Sequence, residues 1–245
     1  MKAVAASGSF FIKIIIFFKK GLLKIGQRYY NNIDRYSQEV KMNEKFFSLP
    51  EEKQLAIINA GYRVFSQNSY KKSPMSEIAA AAGISKSLLF HYFRNKRELY
   101  LFLIKKASDT TYKYLYEFGC DKEEDIFEIM HRGLKAKVAL MKKYPNLTLF
   151  TIKAYYETDP EVCKDIQKLI GRIVSFDANA KFLTISPDKF VEGIDLKMMY
   201  TDMYLASEGY LWEKSHQGKF NADEVERDFE RMIEFWKKIY LRKEQ

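Results

Sequence analysis

Lys72, Ser73, Ser85, Lys86, Ser87, His91, Tyr92 and Lys96 crowd into one short stretch, and each carries a polar or cationic group able to bond an oxygen or a base edge. The chain shows no Ser/His/Asp order, no phosphate-cradling glycine loop and no paired carboxylates in a recognisable setting. The chemistry on offer is therefore recognition of an anionic, hydrogen-bonding partner and not bond making. Cys120 and Cys163 are the two cysteines. With three histidines they give no metal-ligand spacing, so neither a metal nor a cofactor is expected, and idle thiols fit a reducing, cytoplasmic setting.

These groups need short helices to hold them. Ser73 is placed to cap a helix with Pro74 at its first position, where the missing N–H costs nothing. Met75, Ile78, Ala79 and Ala82 form its inward side, and Gly83 supplies the left-handed residue of a sharp turn. Ser85 then caps a second helix, with Leu88 and Leu89 facing inward and Ser85, Lys86, Ser87 and His91 left on the outer face. Asn95 and Glu98 make a capping pair for a third helix that opens on Lys96 and Arg97, a helix start suited to phosphate. Upstream, Leu55, Ile58, Tyr62 and Phe65 recur at helical spacing, which predicts a first helix over 50–66. Two short helices around a glycine turn are a helix-turn-helix.

Ile78-Ala79, Ala82-Gly83-Ile84-Ser85, Leu89-Phe90-His91-Tyr92-Phe93 and Lys96-Arg97-Glu98-Leu99 together resemble the signature of the tetracycline-repressor (TetR) family of bacterial regulators. The resemblance covers roughly residues 50 to 104. It implies three helices that bind DNA and a helical remainder for effector binding and dimerisation. Phe90 departs from the pattern, since the family usually has there a tyrosine whose hydroxyl touches phosphate. Lys71-Lys72 with Pro74 is a second departure, a more basic approach than the family's usual threonines.

Charge follows the same division. Residues 1–42 carry +6 and residues 43–105 carry +5, whereas residues 106–245 carry −2, within a formal total of +9. A basic head and a near-neutral body are expected if only the head meets a phosphate backbone. The chain of 245 residues, 47% hydrophobic, can bury a core in each of two helical domains. The predicted class is all-α, about nine helices, with residues 43–95 as DNA-binding domain and 96–245 as effector-binding and dimerisation domain.

Residues 1–42 form an atypical extension. Phe10–Phe18 is an apolar run broken by Lys13, too short to span a bilayer and poorly placed for a signal peptide. Gln38-Glu39-Val40-Lys41-Met42 can be encoded as a purine-rich ribosome-binding sequence ahead of a start codon, so Met42 is expected to be the first native residue. The alternatives are a basic arm on the DNA and an interfacial anchor over residues 10–25.

In the body, Asp121 with Glu124, Asp159-Pro160, Ser186-Pro187 and Asn221 with Glu224 read as helix starts, the last with Phe220 and Val225 as a staple. The last two helices are expected near 187–214 and 221–242. Ile194, Met198, Leu205 and Trp212 on one, and Phe229, Met232 and Trp236 on the other, are assigned to a four-helix contact between two subunits. Aromatic residues including Phe176 and Phe182 crowd the body. Phe127, Phe150, Tyr155 and Tyr204 are the candidates to line a site for an aromatic or amphipathic effector, with Glu157 or Glu208 adding a preference for cations. The sequence thus points to a ligand-released, homodimeric repressor on a palindromic operator. The competing readings are a helix-turn-helix co-regulator or activator that binds protein without a classical operator, and a membrane-associated regulator.

Overall fold

A computed structural model describes residues 44–120, 122–174, 186–217 and 221–243. Among them are ten α-helices: α1 (Glu44–Phe47), α2 (Glu51–Gln67), α3 (Met75–Ala81), α4 (Lys86–Tyr92), α5 (Lys96–Glu117), α6 (Ile126–Lys143), α7 (Leu147–Tyr155), α8 (Cys163–Val174), α9 (Leu196–His216) and α10 (Ala222–Tyr240). No strand occurs among the described residues, only an isolated bridge between Phe190 and Leu241. The extension over 1–42, with Met42 and the apolar run, lies outside the described residues, as do Asp121, Phe176, Phe182 and Phe220 and the side chain of Glu208.

The described residues divide into two compact units, one of residues 44–110 and 143–172, the other of 111–142 and 173–243. This division cuts across a boundary between residues 95 and 96. The physical reason lies in α2, whose most extensive packing is against α7. Tyr62 and Phe65 of α2, Tyr100 of α5 and Phe150 of α7 are all buried, with ring centroids 5.1 Å apart for Tyr62–Phe150, 4.7 Å for Phe65–Tyr100 and 5.4 Å for Tyr100–Phe150. Aromatic pairs at such separations add to the burial of their own large areas. Gly61 lets α2 and α5 approach, because a Cβ there would stand 2.5 Å from Leu103 Cδ1. The one-turn helix α1 inserts the buried Phe46 among Phe93, Phe102 and Tyr92.

Local side-chain caps hold several helix starts among the described residues. Ser85 Oγ accepts from Leu88 N–H at 3.1 Å, and Asn95 Oδ1 from Glu98 N–H at 2.8 Å. Asn221 Oδ1 accepts from the N–H groups of Asp223 and Glu224. Asp125 caps α6 by accepting from Phe127 and Glu128, four residues beyond the Asp121 at which the start was expected. Each such bond satisfies a donor that the first helical turn leaves unpaired.

The second unit corrects another helix start. Ser186-Pro187 opens only the short 3-10 turn Pro187–Lys189, not a helix running to 214. Backbone bonds from Val191 N to Tyr240 O and from Arg242 N to Lys189 O occupy this segment, and Gly193 turns the chain at φ 76°. Helix α9 begins at Leu196, with Asp195 accepting from Lys197 N and Met198 N. Its pairing with α10 is antiparallel: Tyr240 bonds Asp202, Tyr210 bonds Asp228, and Lys214 bonds Glu224.

Candidate nucleic-acid interface

Helix α3 ends in a closed turn. Gly83, at φ 69°, donates to Ala80 O at 3.1 Å, and Ile84 N–H returns to Ala79 O at 3.0 Å. This pair of bonds is the Schellman ending, which reverses the chain in the least space when its left-handed residue is glycine. Helix α4 follows at once, with four residues, Ala82 to Ser85, between the two helices.

Leu89 and Tyr92 turn α4 inward and are buried. Lys86, Ser87 and His91 are exposed, as the sequence predicts for a reading face. Leu88 is also exposed, at 37%, contrary to its expected inward role: residues 89 and 92 set the buried side, and 88 lies on the flank. Tyr92, expected to contact DNA, is instead packed against Phe46 at 6.1 Å between ring centroids.

Ser73 requires a larger correction. It is fully buried and caps nothing: its hydroxyl donates to Ser69 O at 2.9 Å, while α3 starts from Pro74 without any side-chain cap. Its part is to close the turn between α2 and α3, so it is withdrawn from direct contact. Lys71 and Lys72 on that turn are exposed. Lys96 Nζ donates to Lys71 O at 3.2 Å and lies 4.4 Å from the Tyr70 ring centroid, which gathers a third cation beside them.

The same turn is gripped from the other side. Tyr70 N–H donates to Glu157 Oε2 at 2.8 Å, and Arg97 bonds Asp165 at 2.6 Å and the Glu161 carbonyl at 3.2 Å. The Asp165 bond holds the Arg97 guanidinium above its ordinary pKa. Burial pushes the hydroxyls of Tyr70 and Tyr100 well up, so both rings stay neutral in this core. Glu157 is thus a structural acceptor here, whereas the sequence suggested it for a cation site.

Residues 57–102 match the model of bacterial regulatory proteins of the tetR family, a span that runs from α2 through both short helices into α5. This segment is similar to the head of that family. Within it, helices α3 and α4 form a helix-turn-helix. Over 152 residues the chain is 24% identical to the fatty acid metabolism regulator protein of Bacillus subtilis, covering 60% of this chain and 75% of that one. It is 28% identical over 114 residues to the HTH-type transcriptional regulator RutR of Escherichia coli K12, 46% of this chain and 48% of that protein. Among solved structures, a TetR family regulator from Chloroflexus aurantiacus superposes with TM-score 0.56 at 22% identity, covering 82% of this chain and 99% of its own. SmeT of Stenotrophomonas maltophilia gives 0.54 at 15% identity, with coverages of 80% and 93%. These structural likenesses extend the fold well beyond the TetR-family head.

Outside that head, the residues assigned to an effector site fall in different units. Phe150 and Tyr155 belong to the unit that contains α3 and α4, and Phe127 and Tyr204 to the other. Phe150 is the buried hub beside Tyr62, Phe65 and Tyr100, which makes it a core residue. Phe127 is likewise buried, 6.5 Å from Phe190.

The dimer assignment divides in the same way. On α9, Met198, Leu205 and Trp212 are exposed at 65%, 59% and 43%, seven residues apart, while Met199, Met203 and Leu211 face inward. On α10, Phe229 and Trp236 are buried in the subunit's own core with Val225 and Ile233, so they are not free to meet a partner. Ile194 and Met232 are half-buried. Phe235 and Ile239 are the exposed large apolar residues of α10. Among the described residues no helix is long and apolar enough to cross a membrane, and no group of acids, histidines and cysteines is placed to hold a metal.

Proposed function

We propose that the protein is a homodimeric repressor that binds a palindromic operator and is released by a small aromatic or amphipathic ligand, working in the cytoplasm. The observation that carries this is the helix-turn-helix itself: a glycine-closed turn, a capped second helix, and an exposed face of Lys86, Ser87 and His91 within a segment matching the tetR family. Exposed Lys71 and Lys72, with Lys96 beside them, supply the cations that phosphate contact needs. Two subunits joined through the apolar surface of α9 and α10 would present two such faces to successive major grooves, about 34–36 Å apart.

Release is a shift between two populations. The ligand must bind more tightly to the state that reads DNA poorly, since a ligand with equal affinity for both shifts nothing. Helix α5 is the proposed carrier, because its residues belong to both compact units. The similarity to a fatty acid metabolism regulator makes lipid-derived amphipaths the first class of effector to screen.

The test is selection of bound sequences from random duplex DNA with the full chain at stated salt. A palindrome with half-sites about one helical turn apart is the expected result. No enrichment would remove the operator-binding reading and favour a protein-binding module.

A further inference from the structure

Helix α4 carries apolar as well as polar groups on its exposed side, Phe90 beside Lys86, Ser87 and His91. Between Ile84 and Phe93 the chain has no Arg, Asn, Gln, Asp or Glu, which leaves Lys86 as the side chain there suited to a guanine edge. It does have two large apolar side chains pointing outward. Phe90 is exposed at 38% and Leu88 at 37%, in a helix whose inward positions Leu89 and Tyr92 are filled. At 100° per residue, Ser87, Phe90 and His91 lie opposite the buried pair, with Lys86 and Leu88 on the flanks. Lys86 Nζ stands 5.9 Å from the Phe90 ring centroid, so a cation accompanies the ring on that face. Leu88 and Phe90 stand about 160° apart around the helix, so they border the polar groups Ser87 and His91 on either side. The apolar group that the major groove displays is the thymine C5-methyl.

We infer that Leu88 and Phe90 are specificity-determining residues that read thymine methyl groups, so that each operator half-site carries thymine where they touch. This rests on the operator-binding reading above. It also gives Phe90 a role of its own: without a hydroxyl it cannot bond phosphate, and its ring takes a base methyl instead. The cations of the neighbouring turn hold the backbone while the apolar pair sets the sequence.

The probe is the duplex enriched by the full-length chain, with thymines of the half-site replaced one at a time by deoxyuridine, which removes the methyl and keeps base pairing. At one or two thymines per half-site the replacement should weaken binding about fourfold, the worth of one buried methyl. In Phe90→Ala or Leu88→Ala the penalty should vanish at the thymine that residue reads and persist at the other. Both side chains are exposed, so both variants should melt like the parent. Indifference of the parent protein to every replacement would overturn the inference while leaving operator binding intact, and so would a penalty that survives in both variants. A Phe90→Tyr variant that gains affinity equally on all duplexes, together with such indifference, would assign the ring to the backbone. Failure to enrich any duplex would instead end the operator-binding reading, and this inference with it.

Discussion

The backbone N–H of Tyr70, in the turn that leads to the first helix of the reading pair, donates to Glu157 Oε2 across 87 residues of chain, at 2.8 Å. Oε1 of the same carboxylate accepts from the N–H groups of Thr158 and Asp159, both at 3.0 Å. One side chain therefore shapes the loop between α7 and α8 and fastens the turn between α2 and α3. Glu157→Ala should destabilise this unit by about 1–3 kcal/mol, the range for losing bonds to a charged acceptor. Urea unfolding would measure the loss, and Glu157→Gln, which keeps one acceptor oxygen, should recover part of it.

Gly83→Ala isolates a backbone cost. A Cβ there meets nothing within 4 Å, yet φ is 69°. The left-handed conformation alone should cost about 1–2 kcal/mol. Thermal denaturation should show this, and operator affinity should fall as the angle between α3 and α4 relaxes. A variant as stable as the parent would mean that the turn does not require glycine.

Lys86→Ala and His91→Ala should weaken operator binding without changing the oligomeric state. If Lys86 meets a phosphate, its loss should lower the slope of log K against log salt by about one. Footprint titrations at several salt concentrations would read both quantities, and unchanged affinity would reject this reading face.

Leu205→Glu and Phe229→Ala should separate association from folding. Leu205 is exposed on α9, and a charge there should shift sedimentation toward monomer at little cost in folding. Phe229 is buried against Tyr210, with centroids 5.2 Å apart. Its truncation should cost about 3–5 kcal/mol in unfolding experiments.

Acid should loosen the start of α6. The Glu123 carboxylate accepts from the N–H groups of Asp125 and Glu124 and also faces Arg132, which together hold its pKa below the ordinary carboxylate value. A pKa depressed by folding contributes stability that is present above the unfolded value and lost as pH falls through the folded one. Glu123→Gln should therefore flatten stability against pH in that acid range, as followed by circular dichroism.

What could be read directly from residue order was whatever is settled within one helical turn. Ser85, Asn95 and Asn221 cap as expected because each bonds N–H groups two or three residues ahead. Gly83 turns the chain because only a residue without Cβ adopts that angle freely. Periodicity likewise placed α2 and α4, and the polar groups of α4 followed as its outer face.

Long-range choices were not legible. Ser73 resembles a cap in sequence, but α2 offers it the Ser69 carbonyl and the core covers it. On α10 the apolar residues are numerous enough that spacing could not say which flank the subunit buries and which it leaves exposed; packing within the subunit assigned Phe229 and Trp236 inward and Phe235 and Ile239 outward. Nor could composition tell that Phe150 and Glu157 serve the unit containing the reading head. Sequence by itself determined that the chain is helical, the helix ends set by Ser85, Asn95, Asn221 and Gly83, and the kind of partner the head suits, since these depend on backbone conformation and side-chain chemistry within a few residues. Tertiary structure alone decided which outward groups remain available for recognition, because burial and distant hydrogen-bond partners exist only once the helices are packed.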